Sequence, residues 1–566
     1  MTRVTVAAEA VPSVADLLVA RVDDDHPGLR FEEQAWSWRE VVAASADRAA
    51  LIHSMSGSEQ KEPFHVGVLL GNIPEYVFWL GAAALAGAVV VGINPTRRGE
   101  ALAGDILRTD CRVVVTDAEG GRLLDGLAFG LAPEQVIRVD GPHYAQALQP
   151  HHGTDVVELV STCNPSGSDL FLLLFTSGTT GAPKAVRCTQ GRLASIAVRS
   201  AAAYGFERDD VAYCAMPLFH GNALMVLWGP SLVVGATVAL ARRFSASGFL
   251  TDIRRYGVTT FTYVGKALAY VLATPPSPAD AATTLRRGFG TEASVADHAA
   301  FERRFGCVLT EGYGSSEGGV AISRTPETPV GSLGRPTDDV AILDPDALRE
   351  CPPAAFDAGG GLVNGDLAIG EIVNRSGPGG FEGYYADEAS TADRIRNGWY
   401  WTGDLAYRDE AGFLYFAGRR GDWMRVDSEN LTAGPIERVL VRPDGVATVA
   451  VYSVPDPRSG DQVMAAFEML PGRAFDPVEF GTFLSTQPDL GTKWAPSFIR
   501  VAQGLPQTAS GKVTKAPLRA EGWWRGDDPI FRRQGPGLTY APMDDADRLE
   551  LRDEFRRHGR QGLVDG

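Results

Sequence analysis

The sequence predicts an α/β protein, with mostly parallel sheets flanked by helices and a smaller α+β unit at the C-terminal end. Three observations predict it. Short β-branched or leucine-rich runs alternate with helical patterns and end in glycine loops, as strands buried on both faces do. The 566 residues exceed what one core of ordinary size absorbs. After about Arg419 the pattern changes to two strand-like runs and a helix of a smaller unit.

The elements follow in order. Residues 65–70 read as a strand, and Asn72-Ile73-Pro74-Glu75 announces a helix from Pro74. Residues 111–117, 135–140 and 169–175 read as strands, and 258–264 and 307–309 continue the set. A short strand at 413–416 precedes a boundary near Arg420-Gly421-Asp422, which divides the chain into 1–419 and 420–566. Beyond it, 447–454 and 462–470 read as strands, 477–485 as a helix, and 544–558 as a helix in a charged tail. No short-period repeat or low-complexity tract interrupts this order.

Composition excludes several function classes. A net charge of −17 argues against a nucleic-acid binder and against broad electrostatic binding to anionic lipid. The six cysteines form no CxxC pair and no metal-ligand spacing with histidine, so free thiols in a reducing cytosol are expected. The first ten residues lack the apolar core of a signal peptide, so a cytoplasmic location is expected. Residues 77–93 are nearly all apolar but fall short of the roughly 18 of a membrane span. Three glycines and the flanking Pro74 and Asn94-Pro95 make them a buried helix running into a buried strand. Lysine is rare: Lys61, Lys184, Lys266, Lys493, Lys512 and Lys515 are the only six, and two of them lie in the motifs below.

The strongest motif is Thr176-Ser177-Gly178-Thr179-Thr180-Gly181-Ala182-Pro183-Lys184, directly after a buried strand. Glycines let backbone N–H groups approach a polyphosphate, hydroxyls add donors, and the lysine adds a point charge. The Walker A spacing is absent. Four further motifs follow in order. They are Met216-Pro217-Leu218-Phe219-His220-Gly221, Gly312-Tyr313-Gly314-Ser315-Ser316-Glu317, Trp401-Thr402-Gly403-Asp404 and Pro506-Gln507-Thr508-Ala509-Ser510-Gly511-Lys512. Standing alone, His220 reads as a packed histidine, Glu317 as a solvated charge and Lys512 as a surface lysine.

Together these motifs resemble the adenylate-forming enzymes: acyl-CoA synthetases, luciferases and peptide-synthetase adenylation domains. The resemblance covers nearly the whole chain from Trp36, with Ala185 and Ser316 as small departures from the family pattern. It implies a large N-terminal domain with a β-barrel-like subdomain and a small mobile C-terminal domain. It implies ATP, Mg2+ and CoA as partners in converting a carboxylic acid to an acyl-CoA through an acyl-adenylate. In that reading the 176–184 loop and Lys184 hold phosphates, Tyr313 stacks on adenine and Ser316 touches the α-phosphate beside Gly314. Glu317 helps hold magnesium, and Gly290, Thr291 and Glu292 line the adenine pocket. Asp404 takes the ribose hydroxyls, Arg419 reaches ribose or phosphate, and Lys512 bridges the acid and the α-phosphate. His220 and Val264 border the acyl site, and Gly421 stands at the hinge.

The segments Phe261-Thr262-Tyr263-Val264-Gly265 and Arg420-Gly421-Asp422-Trp423-Met424-Arg425, with the tail, look most like the fatty-acid transport protein and very-long-chain acyl-CoA synthetase branch. Gly318-Gly319 after Glu317 are expected to leave room for a long-chain or bulky, steroid-side-chain-like acid. A homodimer, and at most peripheral contact with the inner face of the membrane, complete the expectation. Three other readings are weighed: an acyl-AMP ligase loading a carrier protein, a fatty-acid uptake component, and a catalytically dead family member, against which Lys184, Glu317, Asp404, Arg419 and Lys512 all count.

Overall fold

The computed structural model describes residues 12–564 apart from 57–61, 177–182, 359–361, 420–422, 427–428, 459, 488, 491–492, 509–510 and 536. Two mostly parallel sheets form the larger part. The first runs Val136–Arg138, Val113–Thr116, His65–Leu69, Val89–Gly92, Leu170–Thr176 and Lys184–Thr189. Only its last strand is antiparallel to its neighbour. The second runs Ala321–Ser323, Val308–Gly314, Arg287–Thr291, Thr260–Val264, Val211–Cys214, Thr237–Leu240, Pro27–Phe31 and Gln34–Ser37. Its two edge strands are antiparallel and the rest parallel.

One apolar core joins the two sheets. Val66 and Leu172 of the first and Cys214 and Leu240 of the second share it with Trp38, Trp79 and Trp228. The buried Asn72 adds a polar tie between them. Its Nδ2 donates to the carbonyls of Met216 at 2.9 Å and Ala241 at 3.1 Å, and its Oδ1 accepts from Leu218 N at 3.0 Å. All three bonds cross between chain segments far apart in sequence, so Asn72 fixes where the 216–221 segment enters.

The apolar 77–93 segment divides as its glycines suggest. The helix Pro74–Ala86 ends at Gly87 in the left-handed conformation, φ +66°, and the strand Val89–Gly92 follows. Every residue from Tyr76 to Leu85 is buried inside the protein. Among the described residues no helix is long and apolar enough to cross a membrane.

Where the barrel-like subdomain is expected stands an antiparallel sheet: Val340–Leu343, Gly370–Asn374, Ile395–Arg396, Trp399–Arg408 and Leu414–Arg419. A separate sheet follows: Val446–Pro455, Asp461–Met469, Phe498–Ala502, Ile530–Arg533 and Tyr540–Pro542. Its central strands alternate strictly. Val451, Val463, Ala465 and Phe467 face one core, with Ile436 and Leu440 of the helix Ala433–Leu440. Tyr452, Met464 and Ala466 face the other, which Trp523 and Phe555 close. Phe555 belongs to the tail helix Asp545–Arg557, whose start is set by an Asp544/Asp547 capping box. The charged tail is therefore the cover of the small sheet's second face.

Candidate active site

The motif residues gather at the C-terminal ends of the parallel strands, where open α/β sheets place their sites. Leu170–Thr176 is buried up to Phe175, and its antiparallel partner begins at Lys184, with Thr176 and Lys184 facing each other in register. Ser177, Gly178, Thr179, Thr180 and Gly181 lie outside the described residues, as does Gly421. The strand pair nevertheless brings both ends of the phosphate loop to one place.

Lys184 Nζ lies 5.2 Å over the ring of Tyr384. The Tyr384 hydroxyl donates to Glu317 Oε1 at 3.1 Å and accepts from Arg394 Nε at 3.2 Å. One buried tyrosine thus stands between the loop lysine and the expected metal carboxylate. Burial first, then the Glu317 charge, pushes its hydroxyl well up, so it stays a proton donor to that carboxylate. Arg394 Nη1 also donates to Thr402 O, two residues before Asp404, and so ties Tyr384 and Glu317 to that strand.

At the expected ribose end, Asp404 and Arg419 are cross-strand partners, with Arg419 Nε 3.6 Å from Asp404 Oδ1. Tyr313 donates its hydroxyl to Asp404 Oδ2 at 2.7 Å. Thr402 Oγ1 accepts from Asp404 N at 3.1 Å, and Gly403 N donates to the buried Glu371 at 2.7 Å. This stretch of the strand Trp399–Arg408 is therefore braced, and the carboxylate lies between a phenol and a guanidinium. Burial raises the Asp404 pKa, outweighing Arg419 and Tyr313.

The third cluster joins the small sheet to the large part. Lys512 Nζ is 2.9 Å from Glu292 Oε1. The turn carrying Lys512 is closed by Thr508, which donates N–H to Lys512 O at 2.7 Å. A Cβ on Gly511 would lie 3.1 Å from Val264 Cγ2, so this turn sits directly on the end of the strand Thr260–Val264. Glu292, expected at the wall of the adenine pocket, has its carboxylate turned onto Lys512. The reason is local. Glu292 has φ +67°, and Ala293 N is held by the buried Glu311 at 2.8 Å, itself paired to Arg324 at 2.8 Å. A non-glycine residue in this region persists only when its surroundings over-determine it, and such residues cluster at functional sites. Gly290 and Thr291 precede it on the strand Arg287–Thr291, and Gly314 ends the strand that carries Tyr313.

His220 is half-buried beside this cluster, and its Nε2 is shielded from solvent and lacks a protein partner among the described residues. Burial, and secondarily the Lys512 charge, pushes its pKa down to about 4, so the ring is neutral near pH 7. It precedes the short helix Gly221–Ala223 and the π-helical turn Leu224–Trp228, a distortion that often marks functional sites. We expect His220→Gln to leave the pH–rate profile unchanged between pH 6 and 9 and to lower kcat less than about tenfold, below the range of a lost general base. Disappearance of a limb near neutral pH would show that His220 titrates in the reaction.

Gly318 and Gly319 need a correction. A Cβ on Gly318 would meet Arg192 Nη2 at 2.6 Å, and one on Gly319 would meet the Tyr400 ring at 2.2 Å. Protein side chains fill the space that these glycines were expected to open to an acyl group. Arg192 uses that space to reach Ser316 O at 2.5 Å, which fixes the turn between Tyr313 and Glu317. Sequence reasoning missed Tyr384, Arg394, Arg192 and Glu311. Only Tyr384 carried a local signal, the glycine- and aromatic-rich run Gly379-Gly380-Phe381-Glu382-Gly383-Tyr384-Tyr385.

A strand pair ending at Thr176 and Lys184, the buried carboxylate Glu317, Asp404 paired with Tyr313 and Arg419, and Lys512 paired with Glu292 make up this region. A model of AMP-binding enzymes matches residues 18–385, and one of the AMP-binding enzyme C-terminal domain matches residues 435–512. The chain belongs to the AMP-binding enzymes. A steroid-22-oyl-CoA synthetase of Rhodococcus jostii (strain RHA1) is 54% identical over 556 residues, covering 98% of this chain and 99% of the relative. A medium/long-chain-fatty-acid–CoA ligase, FadD17, of Mycobacterium tuberculosis is 48% identical over 511 residues, 90% of this chain and 97% of the relative. The solved anthranilate CoA ligase AuaEII, in complex with anthranoyl-AMP, has the same fold. Its TM-score is 0.76 at 20% identity, over 90% of this chain and 97% of that one. This AMP-binding enzyme is an AMP-forming acid–CoA ligase of the adenylate-forming superfamily.

Proposed function

We propose that the enzyme activates a long or bulky apolar acid, of the size of a long acyl chain or a steroid side chain, and passes it to CoA from a single cleft. The observation that carries the mechanism is Lys512 seated against Glu292 and the end of the Thr260–Val264 strand, where its charge is felt at both Asp404 and His220. In the first half-reaction a carboxylate oxygen of the acid attacks the α-phosphorus of ATP and pyrophosphate leaves. Lys512 places its positive charge where the attacking carboxylate and the α-phosphate would otherwise repel. Asp404 accepts the ribose hydroxyls, Tyr313 and Arg419 orient it, and Thr176 to Lys184 grip the departing pyrophosphate. In the second half-reaction the CoA thiol attacks the acyl carbonyl, and AMP leaves with the bridging oxygen.

Magnesium fits the residues present. Glu317 is a buried carboxylate with one oxygen already oriented by Tyr384. Among the described residues no group of three or more histidine, cysteine, aspartate or glutamate side chains gathers as a metal cage. A single carboxylate suits magnesium carried in largely by phosphates, and the ion would neutralise charge on the β- and γ-phosphates.

In this reading the division at 1–419 and 420–566 separates two bodies, and Gly421 lets the second rotate between the half-reactions. Cytoplasmic residence, at most peripheral membrane contact and a homodimeric state belong to the same reading; fractionation and sedimentation test them.

The apolar-acid assignment rests on the similarity to the Rhodococcus and Mycobacterium ligases. A screen of pyrophosphate release over acids from two carbons to fused-ring side chains tests it. Each buried methylene contributes about 0.8 kcal/mol, so kcat/KM for a two-carbon acid should fall orders of magnitude below that for a long one. Preference for short or charged acids would overturn the assignment. Release of AMP and thioester with free CoA is expected; adenylate without thioester would favour a carrier-protein acceptor.

A further inference from the structure

One buried charge pair lies outside the site described and joins its two halves. The helix Gly265–Leu272 begins directly after Val264. Lys266 in its first turn is 12% exposed, and its Nζ is 2.8 Å from Oε2 of Glu468, which is 6% exposed. Tyr270, one helical turn on and on the same face, donates its hydroxyl to Glu468 Oε1. Glu468 belongs to the strand Asp461–Met469 of the small sheet. Its Oε2 also accepts Leu505 N at 2.8 Å. Leu505 opens the segment Leu505-Pro506-Gln507-Thr508 that leads into the Lys512 turn. One carboxylate therefore ties the first turn of a helix in the large part to the base of the turn that carries the catalytic lysine.

The chemistry of the pair suits a device that makes and breaks. A lysine in the first turn of a helix is disfavoured by the helix dipole, and here its compensating charge comes from the other sheet. Glu468 sits on an interior strand, paired with Thr448 on one side and Ala502 on the other, where burial alone would push its carboxyl up. Lys266, Tyr270 and Leu505 N together hold it below the ordinary range. The charge is thus matched only while the small sheet is docked as it is here. Lysine is scarce in this chain, and beside Lys266 two others, Lys512 and Lys515, pair with carboxylates of Glu292 and Glu437.

We propose that Lys266, Tyr270 and Glu468 form a latch that holds the Lys512 turn in the adenylating pose and so sets how the enzyme divides between its two half-reactions. They are positioning residues, and the proposal rests on the two-pose reading above. In Lys266→Met, Glu468 stays buried in the docked pose without its counter-charge, whereas rotation of the small sheet exposes it to water. Adenylation, read as pyrophosphate release without CoA, should fall at least about tenfold, as expected when one partner of a buried pair is removed. Thioester formation from supplied acyl-AMP and CoA should stay within about twofold or rise. Glu468→Gln keeps an acceptor for Leu505 N, so Lys266→Met with Glu468→Gln should adenylate faster than Lys266→Met alone.

The experiment is to measure both half-reactions on the full-length wild type, the two single variants and the double variant, with thermal unfolding to confirm folding. Selective loss of adenylation with recovery in the double variant is the expected result. Equal loss of both steps, or no loss, overturns the latch, and so does a double variant slower than either single. Lys512→Ala in the same assay separates this from the reading beneath it. If that variant fails to split the two steps, the two-pose reading falls; if it splits them and Lys266→Met does not, only the latch falls.

Discussion

Lys512→Ala is expected to lose adenylation by a factor on the order of 10²–10³ or more, the range found when one positioned donor to a developing charge is removed. That corresponds to about 3–4 kcal/mol of transition-state stabilisation. Thioester formation from supplied acyl-AMP should persist, because the phosphoanhydride chemistry is then already complete. The geometry gives a reason for the size of the effect. Lys512 Nζ is already 2.9 Å from a carboxylate, Glu292, whose left-handed backbone is fixed by Glu311 and Arg324. The ammonium is held in place before substrate arrives, so little reorganisation is needed when the acid's own carboxylate enters. The Lys512 charge and, more weakly, those of Arg419 and Lys515 keep Glu292 below the ordinary carboxylate range, hence ionised at neutral pH. Stopped-flow or coupled pyrophosphate assays with and without CoA read the split directly.

Asp404→Asn should weaken ATP use while stabilising the fold. Hydrogen bonds to a charged group contribute roughly 1.5–3 kcal/mol each, and each 1.4 kcal/mol is tenfold. If Asp404 accepts the two ribose hydroxyls as proposed, losing its charge should lower kcat/KM for ATP by about 100-fold, mostly through KM. The stability effect has the opposite sign. The folded-state pKa of Asp404 lies above its ordinary value, chiefly through burial. A carboxyl raised in this way favours the folded state when protonated, below its unfolded pKa, and that advantage is lost as pH rises through the folded pKa. At neutral pH the ionised group costs stability, and Asn removes the cost while keeping an acceptor for the Tyr313 hydroxyl. A rise in Tm together with the loss of ATP use is the expected pair of results. A fall in both would mean that Asp404 serves the fold rather than the nucleotide.

Much of the large part was legible because its strands are buried on both faces. The strands Leu170–Thr176 and Thr260–Val264 fall within a residue or two of the apolar runs that announced them. Helix Pro477–Ser485 coincides with its pattern, set by Asp476 at the cap and Pro477 after it. Where burial is uneven the sequence misleads. Residues 135–140 keep only the partly buried strand Val136–Arg138 behind a 3-10 turn. The short run at 307–309 extends to Val308–Gly314, because pairing on both edges carries the strand through polar Thr310 and Glu311. The antiparallel sheet between Val340 and Arg419 has mixed burial and short strands, and its pairing is long-range.

The site divides in the same way. Residues that touch a ligand by backbone or charge sit in compact motifs and can be read locally. Those that aim them cannot, since Tyr384, Arg394 and Arg192 reach their partners from distant segments. Glu292 shows the limit most clearly. Its identity was visible, but its direction is set by a hydrogen bond from its neighbour's N–H to Glu311, on the adjacent strand. The glycines after Glu317 show the converse: small residues signalled space, and Arg192 and Tyr400 occupy it.

The most direct test of the account is oxygen transfer from the acid. An acid labelled with 18O in both carboxyl oxygens, turned over with ATP and CoA, should yield AMP carrying one 18O and pyrophosphate carrying none. The attacking oxygen becomes the bridge of the adenylate and leaves with AMP when the thiol attacks. Unlabelled AMP, or ADP with 18O in inorganic phosphate, would contradict an acyl-adenylate formed at Lys512.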